Sequence, residues 1–399
     1  MIIKPCKWYG NADSPVMFMI DDLANTWVDT NRNGVLDLGE DWGYFKDRDN
    51  SSFRYLTERI LQHFPHLKVT FFVPVGMRAG MIKNALIRTV SKCINADKES
   101  KRFFKQIHDH PNYELAYHGT THGIVGPHAA DFIQEWETFQ SVDEALSQMG
   151  KGVDIYYDAI GQKPRGGKYC GYKGNEYSDD SIDLAGFSWW CRYWNRGHGR
   201  GGDKTIAGPD EDPLMNYDIK RFGESAVIDI PSTLDGGLLR GASQNNYPVA
   251  KTMKRFLKKS LVRWKLREID FLLEHKLVIS IQEHIAPSRD DGKRQSPNIF
   301  DDTDSLLGIF EYLRGKNVWY CTGSELADYV NVRDYLSITQ KSEDTFKFND
   351  DLKYSNHNIT LSFSELNPFK IILPNHSIID VTDGVASLPV MKGEYTIVI

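Results

Sequence analysis

The stretch VMFMIDD, residues 16–22, joins an apolar run of strand length directly to two aspartates. A continuous apolar run is typical of a strand buried on both faces, as in a parallel sheet. The same arrangement recurs in YELAYH (113–118) and KLVISIQEH (276–284), each of which ends on a histidine. Polar groups therefore follow directly on apolar strands, and this pattern decides the predicted fold.

Further apolar runs, KVTFFVPV (68–75), AVIDI (226–230) and NVWYC (317–321), alternate with helix-like stretches. Strands that alternate with helices predict βαβ units around a parallel sheet. We predict an α/β fold with an irregular, TIM-like (β/α) barrel, in which the carboxyl ends of the strands open on one face. The helix-like stretches are SSFRYLTERILQHF, ADFIQEWETFQSVDEALSQM and TMKRFLKKSLVRWKLREIDFLLEHK.

The character of the chain changes towards its C-terminus. From about residue 340 the segments are short, often alternate in polarity and are separated by Asn, Pro, Asp and Gly, as in NITLSFSEL and SIIDVTDG. This pattern is typical of a small all-β module of the sandwich kind. We predict a barrel domain over residues 1–335 and a β module over residues 340–399, joined by NVRDYLSITQKSED.

The composition excludes several classes of protein. The 399 residues are 41% hydrophobic and 26% charged, an ordinary globular balance. A net charge of −6 argues against a nucleic-acid binder. Five scattered cysteines without a CxxC pair indicate neither a disulfide framework nor a thiolate zinc cluster. No transmembrane segment or secretory signal is visible, so we expect a cytoplasmic protein, or a secreted one if a signal was removed. The oligomeric state stays open.

The stretch AYHGTTHG (116–123) carries a candidate metal site. A spacing of four places His118 and His122 on one side of a helix or a strand. This pattern alone is more often two ordinary polar residues than a metal site. Together with Asp22, however, it offers two nitrogens and one oxygen and leaves a coordination position open, as catalytic sites do. The shared placement after strands favours the metal site.

Two further residues would complete the chemistry. In an extended backbone Asp21 points to the side opposite Asp22, so it can stay unligated and accept a proton from water. His284 comes from another strand and can protonate a leaving group. The predicted reaction is therefore a hydrolysis.

At this point the residues resemble the polysaccharide deacetylases, the NodB-homology or carbohydrate esterase family four enzymes. The resemblance covers roughly residues 14–330 and is patchy between 125 and 225. It implies a barrel of the NodB type and a deacetylase that removes N-acetyl or related acyl groups from an amino sugar in a poly- or oligosaccharide. Bacterial surface-glycan biosynthesis is one setting for this activity. The matching motifs are MFMIDDL, KVTFFVPVG, HPNYELAYHGTTH and IFEYLRGKNVWYCTGSELADY.

The resemblance also implies roles for single residues. Asp21 would be the general base and His284 the general acid. A divalent metal, usually zinc, would be held by the three candidate ligands Asp22, His118 and His122. In QKPRGGKYCGY, Arg165 would orient the base, and Tyr169 would mark the backbone amide that stabilises the oxyanion.

Two motifs depart from the family pattern. Arg165 is followed by Gly-Gly-Lys-Tyr instead of two prolines and an aromatic residue, and GFSWWCRYW lacks the usual acid before Trp189 and Trp190. These departures keep two alternatives open, namely a catalytically inactive glycan-binding member and a deacylase of a non-sugar amide. With Trp194, the two tryptophans form either a platform for the carbohydrate substrate or part of the core.

The segment DTNRNGVLDLGE, residues 29–40, fits the calcium-loop pattern D-x-[DN]-x-[DN]-G-x5-E. Its flanks do not read as the two helices of an EF-hand, so we predict an isolated Ca²⁺ loop inserted after the first strand, against the alternative of a plain polar turn. Gly34 lies at the sharp turn. The predicted ligands are Asp29, Asn31, Asn33, the carbonyl of Val35, Asp37 and Glu40.

Two basic stretches have alternative interpretations. The helix-like segment at 251–276 is an outer barrel helix with a solvated face, or a surface for anionic lipid or glycan phosphate. NRGHGRGGDK (195–204) is a long loop or a grip for an anionic substrate.

Overall fold

A computed structural model describes residues 1–35, 51–195, 212–242, 251–349, 352–364 and 367–399, and the backbone alone at 41–42 and 251–257. Within these residues the chain has a mixed α/β fold. The α-helices are α1 (Ser52–Arg59), α2 (Lys98–His108), α3 (Val142–Ile160), α4 (Ser178–Leu184), α5 (Lys251–Glu274), α6 (Ile299–Leu313) and α7 (Gly323–Tyr335). Short 3-10 helices lie at Tyr9–Asn11, Leu61–His63, Ala129–Asp131, Glu135–Glu137, Cys170–Tyr172 and Pro213–Tyr217.

The strands fall into a main sheet, smaller pairings beside it and a C-terminal β region. They are β1 (Ile3–Pro5), β2 (Ser14–Asp21), β3 (Thr26–Val28), β4 (Asp41–Trp42), β5 (Val69–Val73), β6 (Thr89–Ser91), β7 (Tyr113–Tyr117), β8 (Gly123–Ile124), β9 (Ile133–Gln134), β10 (Gly166–Lys168), β11 (Trp189–Cys191), β12 (Lys220–Phe222), β13 (Val227–Asp229), β14 (Leu234–Asp235), β15 (Ile279–His284), β16 (Val318–Tyr320), β17 (Ile338–Gln340), β18 (Thr345–Phe348), β19 (Asn358–Phe363), β20 (Phe369–Ile372), β21 (Ile378–Val381), β22 (Val385–Pro389) and β23 (Glu394–Val398).

The main sheet has the strand order β12-β13-β11-β10-β7-β5-β2-β15-β14, with β16 also paired to β2. Its pairings are parallel except for that of β12. All residues of β2 and of β5 are buried, which explains why their sequences are continuously apolar. Each of the six predicted apolar runs overlaps one of these strands.

The sheet is curled, because one stretch of chain bonds to strands at both of its ends. The N–H of Ile230 donates to the carbonyl of Trp190 on β11 (2.9 Å), and the N–H of Thr233 donates to the carbonyl of Ser280 on β15 (3.1 Å). Residues 227–235 thus bring distant strands of the order together. The carboxyl ends of these strands consequently face a common region.

Helix α3 shows how local sequence sets a boundary. The predicted helix ADFIQEWETFQSVDEALSQM is wrong in its first half, which forms β9 and a 3-10 helix. Ser141 caps the helix by accepting from the N–H of Glu144, and Gly161 ends it at φ 85°. A side-chain cap thus begins the helix in the middle of the amphipathic pattern.

The C-terminal residues form two antiparallel sheets over a shared core. One has the order β17-β18-β23-β20-β21, and the other has the order β1-β19-β22. The N-terminal strand β1 therefore pairs with the C-terminal region through β19. The core includes the stacked rings of Phe346 and Tyr395, whose centroids are 5.0 Å apart. Among the described helices, none is long and apolar enough to cross a membrane.

Candidate active site

The strand ends bring the predicted Asp and His residues together. His284 pairs in register with Asp21 across β15 and β2, and its Nε2 lies 4.0 Å from Oδ2 of Asp21. Nε2 of His118, which follows β7, lies 3.9 Å from the same oxygen. Nε2 of His122 lies 3.2 Å from Oδ1 of Asp22. Asp22 takes a left-handed backbone conformation (φ 71°), and all five side chains are largely buried.

A buried carboxylate shapes the turn between the two histidines. Glu135 accepts hydrogen bonds from the N–H groups of Thr120 (2.8 Å), Thr121 (2.8 Å) and His122 (2.7 Å). Gly119 has φ 82°, and a Cβ there would lie 2.6 Å from Oε2 of Glu135. Both the positive φ and the lack of space for a Cβ therefore require glycine at this position.

Hydrogen bonds from Nδ1 orient two of the imidazoles. Nδ1–H of His118 donates to the carbonyl of Lys168 (3.0 Å), and Nδ1–H of His284 donates to that of Pro297 (2.8 Å). In both rings Nε2 is left facing Asp21. Backbone carbonyls hold metal-ligating histidines in the same way.

The charge states in the site suit cation binding. Burial lowers the pKa of His118 and lowers that of His122 well below its usual value, so both rings are neutral. Burial would raise the pKa of Asp22, but the positive charge beside it, above all that of the Arg78 guanidinium, holds the pKa far below its ordinary value. Nδ1 of His122 is buried and has no hydrogen-bond partner among the described residues. Two neutral imidazoles beside an ionised carboxylate fit a divalent metal.

A thiol lies beside the same histidines. Sγ of Cys170 and one nitrogen from each of His118 and His122 lie within 4.8 Å of one another. The thiol donates to the carbonyl of His118 (3.3 Å), and burial, followed by the charge of Glu135, raises its pKa well above the usual value. Cys170 is therefore close enough to the two histidines for its sulfur to share a metal ion with them.

Lys168, and not Arg165, lies beside the predicted base. Nζ of Lys168, at the end of β10, is 2.8 Å from Oδ1 of Asp21. Arg165 precedes the start of the same strand, where its half-exposed guanidinium bonds to Asp328 (2.8 Å). The prediction that Arg165 orients Asp21 is therefore wrong. Arg165 precedes the first residue of β10 and Lys168 is the last, so the two side chains lie at opposite ends of the strand.

The ammonium of Lys168 is fully buried and well compensated. Besides Asp21, it donates to Oε1 of Gln282, which also accepts from the hydroxyl of Tyr172 (2.8 Å). It lies 4.1 Å from the ring centroid of Phe72, a cation–π contact. These contacts hold a positive charge against the carboxylate that is proposed to accept a proton.

A second buried cation, Arg78, lies on Asp22. Its NH2 group is 3.2 Å from Oδ2 and its Nε is 3.4 Å from Oδ1. Both side chains are almost completely buried, at 2% and 0% exposure. Each of the two adjacent aspartates thus has a basic partner of its own.

The predicted substrate-binding residues lie elsewhere. The N–H of Tyr169 donates to the carbonyl of Cys191 (3.3 Å), so it is engaged in the sheet and is not free for an oxyanion. Trp189 and Trp190 have no exposed surface and Trp194 has 6%. The three tryptophans therefore belong to the core, where Trp189 packs against Phe72, Trp190 against Trp136 and Trp194 against Tyr172.

The described half of the predicted calcium loop is folded around Asp29. Its Oδ1 accepts from the N–H of Asn33 (3.1 Å) and its Oδ2 accepts from that of Gly34 (2.8 Å), where φ is 82°. Asn31 and Asn33 also accept from backbone N–H groups two residues on. The predicted ligands Asp37 and Glu40 lie outside the described residues, as do residues 196–204 of the Gly/Arg-rich stretch. The calcium site therefore stays a prediction.

Sequence reasoning missed four polar residues of the site. For Lys168 a signal existed, since it lies at the end of a strand as Asp21 and His118 do. That strand reads Gly-Gly-Lys and lacks the apolar character that marked the others. Nothing in the local sequence of Arg78, Glu135 or Gln282 indicates which residue each would contact.

Comparison with known proteins finds similarity in structure but not in sequence. No protein-family profile matches the chain, and no curated protein does. A protein from Mycobacterium smegmatis assigned as a polysaccharide deacetylase has a TM-score of 0.48 and 14% identity, over 85% of this chain and 98% of that one. The Puue allantoinase has a TM-score of 0.46 and 14% identity, over 82% and 93%. A protein from Pseudomonas aeruginosa PAO1 assigned as a polysaccharide deacetylase has a TM-score of 0.45 and 14% identity, over 82% and 94%.

Proposed function

We propose that this chain is a metal-dependent hydrolase that removes an N-acetyl or related acyl group from an amino sugar in a poly- or oligosaccharide. One observation carries the proposal. The carboxylate of Asp21 lies between Nε2 of His118, Nε2 of His284 and the buried ammonium of Lys168. A candidate proton donor and a fixed positive charge thus both lie within 4.0 Å of the carboxylate that would accept a proton.

The two protein groups that exchange protons have distinct tasks. Asp21 accepts the proton of the attacking water, and Lys168 positions the carboxylate by donating a hydrogen bond to Oδ1. His284 delivers a proton from Nε2 to the departing amine while Nδ1–H stays bonded to Pro297. The side chain of His284 is 13% exposed and is more accessible than those of Asp21 and Lys168. A group that protonates the leaving amine must be accessible in this way.

A divalent metal belongs to the same proposal. The residues that would hold it are Asp22, His118 and His122, whose donor atoms are ionised or neutral as ligation requires. A bound ion would supply Lewis acidity to the acyl carbonyl. Zinc is the metal we propose, because imidazole nitrogens together with one carboxylate oxygen form a typical catalytic zinc set.

A second class of substrate is also compatible with the site. Because the tryptophans expected to stack on sugar are buried, the described residues offer no tryptophan platform at this site. A non-sugar amide cleaved by the same groups is therefore the alternative substrate. Comparing acetate release from chito-oligosaccharides with acetate release from N-acetylated amines that are not sugars decides between these substrates.

The central experiment measures bound metal and acyl release on the same preparations. Asp21→Asn keeps the three ligands, so we expect wild-type metal content and a loss of turnover of about 100-fold to 10,000-fold, the usual contribution of a general base. His118→Ala should lose both metal and turnover. A wild-type protein without a bound transition metal, or an Asp21→Asn variant as active as wild type, contradicts the proposal. Metal retained without turnover on any substrate would favour an inactive binding protein.

A further inference from the structure

Asp21 and Asp22 are already neutralised by protein cations. Lys168 lies on the first and Arg78 on the second, and all four side chains have at most 4% exposure. Each of the two carboxylates therefore has a buried positive charge beside it.

Arg78 is the cation that bears on metal binding. It reaches Oδ2 of Asp22 through NH2 and Oδ1 through Nε, at 3.2 and 3.4 Å. Oδ1 is also the oxygen that faces Nε2 of His122, at 3.2 Å. A metal held by Asp22 and His122 would thus share its carboxylate with a guanidinium that cannot lose its charge.

The backbone around Arg78 fixes this arrangement. Its own N–H donates to the hydroxyl of Ser91 (2.8 Å), and its NH1 donates to the carbonyl of Ala79 (3.3 Å). The side chain is buried, so withdrawing it into water would break these packed contacts. The positive charge is therefore a permanent part of the site.

We infer that Arg78 sets the metal affinity of the site by competing with the ion for the charge of Asp22. This rests on the proposed metal site but goes beyond it, since it assigns to an arginine the task of weakening metal binding. Like charges a few ångströms apart repel strongly in a buried environment, where the effective dielectric constant is far below that of water. Removing the positive charge should accordingly tighten metal binding by about tenfold or more.

The experiment measures the affinity for Zn²⁺ by competition with a chromogenic chelator at pH 8, where the ligands are unprotonated. Arg78→Met removes the charge but keeps much of the side-chain volume, and we expect it to bind Zn²⁺ at least tenfold more tightly than wild type. Arg78→Lys keeps the charge and should stay within about threefold of wild type. Arg102→Met, a change on α2, is the matched control and should not alter the affinity.

Thermal unfolding gives an independent readout that does not need activity. The metal-free Arg78→Met protein should unfold at a lower temperature than wild type, because Asp22 loses its buried partner, and added Zn²⁺ should raise its Tm by more than that of wild type. Equal or weaker Zn²⁺ binding by Arg78→Met than by wild type, with wild type binding the ion, overturns the inference and leaves the proposed function standing. No binding by any variant overturns the metal site itself. An Arg78→Lys protein that binds as tightly as Arg78→Met overturns the role of the charge.

Discussion

Gln282 and Glu283 are neighbours on β15, but their side chains lie on opposite faces of the sheet. They also differ in their hydrogen-bond partners. Gln282 points inwards, where it accepts from Lys168 and from the hydroxyl of Tyr172. Both carboxylate oxygens of Glu283 are buried and have no hydrogen-bond partner among the described residues. Burial, followed by the charges of Asp302 and Asp235, raises the pKa of Glu283 well above its usual value. The inner face thus keeps its charges paired, whereas on the outer face the acid is held neutral.

The largest loss of turnover should come from removing the positive charge of Lys168 on the inner face of the sheet. Lys168→Met leaves Asp21 without the ammonium that contacts Oδ1, so the carboxylate loses the ion pair that positions it. We expect turnover to fall by about 100-fold or more, the scale of a general-base contribution. Steady-state acyl release measures the effect. Arg165→Met is the matched control at the other end of β10, and its exposed pair with Asp328 should contribute less than about 1 kcal/mol to stability and nothing to turnover.

An intermediate effect is expected from Gln282→Leu. It keeps Lys168 and Asp21 but removes the oxygen that accepts from both Lys168 and Tyr172, so the ammonium is less firmly positioned. Groups that orient a catalytic partner in this way typically contribute about 10- to 100-fold to activity. We expect a loss near the lower end, with the pH profile of kcat displaced relative to wild type. Unchanged turnover and an unchanged pH profile would show that Asp21 and Lys168 need no support from β15.

The smallest effect should come from Glu283→Gln, which we expect to increase the stability of the protein and not to reduce its activity. The folded pKa of Glu283 lies above the unfolded value, so wild type loses stability as pH rises above that unfolded value, about 4.3 for an ordinary glutamate. Glutamine removes this dependence. We expect the variant to be more stable than wild type by about 1–3 kcal/mol at pH 8 and equal to it at pH 4, as measured by urea unfolding. A variant less stable at pH 8 would mean that the carboxylate is ionised and paired.

Much of the strand pattern could be read from the sequence. The runs at 16–20, 68–75, 113–117, 226–230, 276–282 and 317–321 each overlap a strand, and most of their positions are apolar because most of these strands are buried. The positions of Asp21, Asp22, His118 and His284 at the strand ends followed from the same runs. The structure brings these four residues and His122 together, and their roles stay proposals.

The errors have a common physical cause. Strands β10 and β11 are short, and the tryptophans of β11 could equally have been a surface platform or a core. Their burial is decided by the residues packed on each face of the sheet, such as Trp136 against Trp190 and Phe72 against Trp189, which are distant in sequence. Likewise Arg165 and Lys168 are both basic and only three residues apart, so their sequence positions give no preference between them.

The sequence by itself determined which residue types stand at the ends of the apolar strands, since burial on both faces favours apolar residues along most of such a strand. Only the tertiary structure decided which basic residue pairs with which aspartate. The pairing of Asp21 with Lys168 and of Asp22 with Arg78 joins residues up to 147 positions apart. Electrostatic partners are selected by distance and burial in the folded chain, and neither quantity is encoded in local composition or periodicity.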